Sequence, residues 1–264
     1  MDLQLTNKTV FITGSTAGIG FATAKVFLQE GATVIINGRS PHSVDKSLEM
    51  LITQFPDANI RGIPADFSKK ADVDRLLNDL PPIDILINNV GIYESTSFYE
   101  MPDSAWAEQF EVNVMSGVRL SRQLLPQMIA KNWGRIIFIS SECATLVPND
   151  LIAYSTTKAA MLAVSRGLAQ LTKGTAVTVN TVIPGSTLSE GAEQFLADVA
   201  AKENKTPQQV EQEFFTNVRT SSLLQRFASV EEVAHTIVYL SSPLAAATNG
   251  AAIKVDGGSM GGIL

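Results

Sequence analysis

Seven apolar runs of strand length recur along this chain with helix-like stretches between them, and that alternation limits the fold more than any other feature. The runs cover Lys8 to Thr13, Thr33 to Asn37, Ile60 to Phe67, Ile83 to Asn88, Gly134 to Ile139, Ala176 to Ile183 and Gly250 to Asp256. IDILIN, at 83–88, is apolar enough to need cover on both faces, as a central strand of a parallel sheet does. Stretches between the runs carry apolar residues at helical spacing, among them Phe21, Ala24, Phe27 and Leu28, and later Trp106, Phe110, Val114 and Leu120. Strands joined through helices by right-handed crossovers build one doubly wound parallel sheet, with about seven strands and helices on both faces. A single α/β domain over 1–264 is expected, because no Gly/Ser/Pro tract, charge block or repeat divides the chain and its length suffices for one large core.

In such a sheet, ligands bind beyond the carboxyl ends of the strands, so the residues at those ends are the informative ones. The first strand runs into Thr13-Gly14-x-x-x-Gly18-x-Gly20, a turn that opens a helix ending at Gly31. Glycines let the backbone turn tightly and approach a pyrophosphate, while the N–H groups and dipole of the helix start receive its charge. A glycine turn can also merely connect a strand to a helix, and here the flanking elements favour phosphate binding. The second strand ends at Asn37-Gly38-Arg39-Ser40, near where an NAD site places an acid for the ribose 2′-hydroxyl. No carboxylate stands there to repel a 2′-phosphate, and Arg39 can pair with one. The expected cofactor is NADP(H). NAD(H) stays open because a neutral Asn37 admits either, and a solvated loop arginine is the competing reading of Arg39.

The fifth strand ends in Ser140-Ser141, and the helix that follows carries Tyr154 and Lys158 on one face, four residues apart. A phenol titrates about three units above neutrality. A nearby ammonium favours the phenolate, which would make a proton donor usable near pH 7, while a serine hydroxyl orients the substrate oxygen. By itself Tyr-x-x-x-Lys reads as an exposed helical pair.

The glycine turn, Asn88-Asn89-Val90-Gly91 after the fourth strand, and a serine thirteen residues before Tyr154 stand in an order and spacing that resemble the short-chain dehydrogenase/reductase family, from about Lys8 to Gly258. The resemblance implies a Rossmann-type fold and an NAD(P)-dependent oxidoreductase that interconverts a carbonyl and a secondary alcohol by hydride transfer. It implies a catalytic set of Asn113, Ser141, Tyr154 and Lys158. Tyr154 is the general acid/base, and Lys158 lowers its pKa and holds the nicotinamide ribose. The family's serine-to-tyrosine separation selects Ser141 and leaves Ser140 a structural role. FEVNVMSG resembles the stretch whose distorted backbone holds a water in a proton relay to the lysine, and this gives Asn113 its part. Implied cofactor contacts are Gly14, Ser15, Thr16, Gly18, Ile19 and Gly20 in the glycine turn, then Arg39, Ser40, Phe67, and Asp66 on the adenine. Asn89, Val90 and Gly91 line the cleft, Tyr154 and Lys158 also touch cofactor, and Pro184, Gly185 and Thr187 complete the set with the backbone of Ile183. Asp66 also reads as a cap or turn residue, and the paired asparagines as braces between strands. Cys143 reads as a small pocket residue, and Glu142 as either a substrate-entrance or a solvated carboxylate.

Residues 188–227 are expected to form a substrate lid. One helix there holds Phe195, Leu196 and Val199, and another starts at the capping box Thr206-Pro207-x-Gln209. Most of their apolar side chains should pack on the body, and any left over favour a substrate with an apolar portion. The helix AAMLAVSRGLAQLTK is apolar or small around most of its circumference and needs burial on more than one side, which predicts a homo-oligomer. The family resemblance makes that a tetramer. A net charge of −6 and a pI near 5.0 disfavour nucleic acid and anionic membranes as partners. Cys143 is the single cysteine, and the first residues show no signal peptide or membrane span, so the cytoplasm is the expected location. His42 and His235 lack metal-ligand spacing, and no metal is expected. Two rival functions are a 3-oxoacyl-carrier-protein reductase, against which Asn132 and Thr175 stand at the positions where similarity to that kind of enzyme implies a basic docking rim, with Lys131 and Lys173 close by, and a non-catalytic nucleotide-sensing or scaffold protein, against which the complete catalytic set stands.

Overall fold

The computed structural model describes residues 1–262. Its first half runs β1 (Thr9–Ile12), α1 (Gly18–Gln29), β2 (Thr33–Gly38), α2 (Pro41–Gln54), β3 (Ile60–Pro64), α3 (Lys70–Asp79), β4 (Ile85–Asn88), α4 (Asp103–Phe110) and, after a π-helical turn (Glu111–Met115), α5 (Ser116–Lys131). Its second half runs β5 (Gly134–Ile139), α6 (Cys143–Leu146), α7 (Ile152–Leu171), β6 (Val177–Pro184), β7 (Thr187–Leu188), α8 (Glu190–Glu203), α9 (Pro207–Asn217), β8 (Ala228–Ser229), α10 (Val230–Leu240) and β9 (Ala252–Val255). The seven runs form one sheet in the order β3-β2-β1-β4-β5-β6-β9, with every pairing parallel. From β1 the chain winds outward through β2 and β3, then crosses to β4 and winds outward the other way, so the carboxyl ends of β1 and β4 bound a crevice.

Alternate residues of each strand feed opposite layers. Val10, Ile12, Val34, Ile36, Ile85, Ile87 and Ile137 pack beneath α1, α2 and α10. Phe11, Ile35, Leu86, Ile136, Phe138 and Val179 pack beneath α3, α5 and α7. A sheet covered on both faces has no use for polar alternation, which is why these strands read as continuous apolar runs.

One element differs from expectation, and another carries a local distortion. The third strand stops at Pro64, whose missing N–H cannot extend a ladder, so Asp66 and Phe67 lie in the loop beyond. The helix that starts after Pro102 is one rod whose turn widens at Glu111–Met115, around Asn113.

Between β6 and α10 the chain leaves the sheet. There α8 and α9 pack on each other around a separate small core of Leu196, Ala200, Val210, Phe215 and Phe227, in which Phe214 stacks on Phe227 at 5.2 Å. Thr206 and Gln209 form the expected capping box at the start of α9, and Ser229 and Glu232 form another at α10. The parallel pairing of β7 with β8 ties the two ends of the excursion together.

Candidate active site

The glycine turn crosses from β1 to α1 at the sheet's reversal. Gly14 and Gly18 have φ of +58° and +57°, a region that side chains disfavour, and a Cβ on Gly20 would sit 2.5 Å from both Asn89 Nδ2 and Gly14 O. Asn89 braces the turn by donating from Nδ2 to Thr13 O at 3.0 Å and Gly14 O at 2.8 Å. The Thr13 hydroxyl accepts from the N–H groups of Asn89 and Val90, both at 2.9 Å. Asn88, expected to share this bracing, is buried with no hydrogen-bond partner for either amide atom. Asn37 is buried too: its Oδ1 accepts from Gly14 N–H at 3.1 Å and its Nδ2 donates to Ile63 O at 3.0 Å. Ser15 likewise spends its polar groups inside the fold. Its hydroxyl donates to Ile12 O at 2.8 Å and accepts from Asn37 N–H at 2.9 Å, and its own N–H reaches Asn37 O at 2.8 Å. Ser15 thereby braces the turn, as Asn37 does.

Above this frame lies a cleft of about 510 Å³. Gly14, Thr16, Arg39, Ser40, Asp66, Phe67, Asn89, Val90 and Gly91 line it as expected, joined by Ser43, Ser68, Glu108 and Val112, which carried no sequence signal. Arg39 is exposed at its mouth, and Ser40 also caps α2 by accepting from Ser43 N–H at 3.2 Å. Asp66 is a turn residue as well as a cleft residue. Burial pushes its carboxyl up, but bonds from the Ser68 N–H and hydroxyl, with Lys69 beside it, outweigh that and hold the pKa below the ordinary value. A glycine edge that no Cβ could share and a basic side chain at the far end fit a dinucleotide.

Ile19, Pro184, Gly185 and Thr187 lie outside this cleft. Gly185 packs so tightly that a Cβ would stand 2.7 Å from Asp256 Cα, and the Thr187 hydroxyl donates back to Gly185 O at 3.0 Å. Two residues later, Ser189 and Glu190 cover the glycine turn. A Cβ on Gly18 would meet Ser189 Cβ at 3.5 Å, and Gly18 N–H donates to Glu190 Oε2 at 2.8 Å.

The four residues of the expected catalytic set converge beside the cleft. Asn113 sits in the π-helical turn, a distortion common at functional sites. Its Oδ1 accepts from Ile92 N–H at 2.7 Å, and its Nδ2 donates to Ile92 O and Thr157 Oγ1, both at 2.9 Å. Across Gly91, whose Cβ would lie 3.3 Å from Lys158 Nζ and 3.6 Å from Asn113 Oδ1, stands the buried Lys158. Its ammonium donates to Ile139 O at 2.9 Å and lies 5.5 Å from the centre of the Tyr154 ring. Ser140 donates to Lys158 O at 2.9 Å and so fastens α7 to the end of β5. Ser141 accepts from Cys143 N–H at 3.2 Å and lies against the phenol of Tyr154. Tyr93 meets the Tyr154 ring edge-on at 5.8 Å.

Electrostatics depart from the expectation of an acidified tyrosine. Burial pushes the Tyr154 phenol well above its ordinary pKa, and the Ser141 hydroxyl offsets only part of that. The Lys158 pKa is itself depressed by burial to about 8, and its ammonium is turned toward Ile139 O. In the chain alone the phenol keeps its proton at neutral pH.

The sequence profile of short chain dehydrogenases matches residues 8–200. The chain belongs to the short-chain dehydrogenase/reductase family. This dehydrogenase/reductase is 46% identical over 258 residues to an uncharacterised oxidoreductase, YvaG, of Bacillus subtilis, covering 98% of each chain. It is 31% identical over 262 residues to the 3-oxoacyl-[acyl-carrier-protein] reductase of Aquifex aeolicus, covering 98% of the chain and 99% of that relative. Among solved structures, L-sorbose reductase from Gluconobacter frateurii, complexed with NADPH and L-sorbose, matches all of both chains with a TM-score of 0.92 at 30% identity. The protein is an NAD(P)-dependent oxidoreductase with a single Rossmann-type domain.

Further side chains around this dehydrogenase/reductase's site are placed by contacts that the sequence does not give. Glu142 is neither solvated nor at an open entrance: it is 3% exposed, and its carboxylate accepts from Arg219 Nε at 2.8 Å and Ser186 Oγ at 3.2 Å. Arg219 lies just beyond α9, 77 residues away, so nothing local pairs the two. Ser189 caps α8 and packs over Gly18. Cys143 is buried, and that burial raises its thiol pKa. Among the described residues, no group of three or more His, Cys, Asp or Glu side chains is placed to hold a metal ion, and no helix is long and apolar enough to cross a membrane.

Proposed function

We propose that the protein is an NADP(H)-dependent reductase that converts a small ketone to a secondary alcohol, with the reverse oxidation as the same path backwards. The observation that carries this reading is the convergence of Ser141, the protonated Tyr154 and the buried Lys158 beside a cleft with Arg39 at its mouth. When bound, the nicotinamide supplies the hydride. The chain's own residues do the rest. Ser141 holds the substrate's carbonyl oxygen at the Tyr154 Oη, which hands over its proton. Lys158 holds the nicotinamide ribose, and the π-helical turn at Asn113 supports a part for that residue in a proton relay to Lys158.

Arg39 supports the preference for NADP(H), since the end of β2, Asn37-Gly38-Arg39-Ser40, carries no carboxylate. Residues 188–227 act as the substrate lid. Most of its apolar side chains pack within it, while Phe195, Val218 and Leu223 remain exposed and favour a substrate with an apolar portion. Leu171, 63% exposed at the end of α7, supports a homo-oligomer, which we take to be a cytoplasmic tetramer. The carrier-protein reductase reading is not favoured: Lys131 is ion-paired with Asp84, and the neutral Asn132 and Thr175 are bonded to Ala176 N–H and Thr172 O, which leaves Lys173 as the exposed cation beside them. Calorimetric titration with NADPH and NADH, followed by a panel of ketones on the preferred cofactor, tests the proposal. Tighter NADPH binding with ketone turnover supports it. Tight binding without turnover on any ketone would transfer the case to the nucleotide-sensing reading.

A further inference from the structure

We infer that Glu190 competes with the cofactor's diphosphate for the glycine turn, so that nucleotide binding and the seating of α8 on that turn exclude one another. The inference goes beyond the proposed reaction and rests only on nucleotide binding at the glycine turn. Gly18 is the first residue of α1, and its N–H is one of the donors that a helix start leaves without an internal partner. In this structure its partner is the Glu190 carboxylate, at 2.8 Å. Glu190 opens α8, and Ser189, which caps that helix by accepting from Ala192 N–H at 3.4 Å, packs over the same glycine. The lid therefore presses an anion onto the end of a helix that, in this fold, receives the anion of the nucleotide.

A carboxylate and a phosphate oxygen make the same demand on that N–H, and one donor cannot serve both in good geometry. Between Gly14 and Gly20 the turn has no charged side chain to offset a second anion. Glu190 must swing away when the diphosphate arrives, and it is drawn back when the diphosphate leaves. The side chain is exposed, which makes the swing sterically easy. A reductase has to release its oxidised cofactor on every turnover, and an anion tethered beside the donor favours that exchange at the expense of affinity.

The test measures binding rather than turnover. NADPH is titrated into the full chain as wild type, Glu190→Gln, Glu190→Ala and Glu193→Gln, the last removing the same charge from the first turn of α8 at a residue with no bond to Gly18. Adenosine 2′-monophosphate, which has no diphosphate, is titrated into the same four proteins. Both Glu190 variants should bind NADPH about tenfold more tightly, the scale of one relieved contact between exposed like charges, while Glu193→Gln changes it by less than about twofold. Adenosine 2′-monophosphate should bind all four alike. Unchanged or weaker NADPH binding by Glu190→Gln, or equal tightening by Glu193→Gln, would overturn the inference. A wild-type chain that binds neither NADPH nor NADH would overturn the nucleotide site itself, which is a distinguishable result.

Discussion

Replacing Lys158 by Met should stabilise the cofactor-free protein even though it removes a residue of the candidate active site. Lys158 is 3% exposed, and its ammonium reaches one acceptor, Ile139 O, at 2.9 Å. Burial holds its pKa at about 8 against an ordinary value of 10.5. At ~1.4 kcal/mol per tenfold, that gap means the folded state carries a penalty on the order of 3 kcal/mol whenever the lysine is charged. Methionine keeps the unbranched stem and drops the charge, while Ile139 O loses its donor, which takes back about 1 kcal/mol. A net gain of about 2 kcal/mol remains, corresponding to roughly 4–8 °C in Tm for a chain of this size. The pH dependence has a definite sign. The unfolded chain holds the lysine proton up to about 10.5 and the folded chain only up to about 8, so between those values the unfolded state binds more protons and wild-type stability rises relative to the variant. The methionine advantage should be full near pH 7 and shrink as pH rises through that window. Thermal or urea unfolding of both proteins without cofactor, near pH 7 and near pH 10, measures it. A variant less stable than wild type near pH 7, or a gap that does not change with pH, would refute the reasoning.

Arg39→Asp should shift the ratio of NADPH to NADH dissociation constants by about 100-fold toward NADH, combining a lost charge-assisted contact with a new repulsion, and an unchanged ratio removes Arg39 from the site. Glu142→Gln should cost about 3 kcal/mol in urea unfolding because it strands the Arg219 guanidinium, whereas the double change Glu142→Leu with Arg219→Met should recover most of that loss. Additive costs in the double variant would mean that the two side chains do not act as a pair.

Much of the fold was legible because a sheet covered on both faces leaves uninterrupted apolar runs, and such runs are hard to mistake for anything else. The convergence of Tyr154 and Lys158 was legible for a similar reason: a four-residue spacing on a helix fixes a shared face whatever surrounds it. Other features depend on what the chain meets from far away. Asn37 looked like a neutral stand-in at the ribose, yet register with β3 sends its amide to Gly14 N–H and Ile63 O. Glu142 and Arg219 meet only because the chain returns after α9. Ser189 packs over Gly18 because β7 pairs with β8 and α8 starts immediately afterwards, a placement set by a strand that the chain reaches only after α9. The direction of the Tyr154 shift was missed for the same reason. The Lys158 neighbour is visible in the sequence, whereas the burial that raises the phenol pKa is not.

The central claim is that Tyr154 gives the proton. Tyr154→Phe tests it most directly, with NADPH consumption followed on the best ketone and NADPH affinity measured by calorimetry on the same preparation. Turnover should fall by at least about 10²-fold, the range of a lost general acid, with the NADPH dissociation constant changed by no more than a few-fold. Turnover at the wild-type rate would contradict the claim.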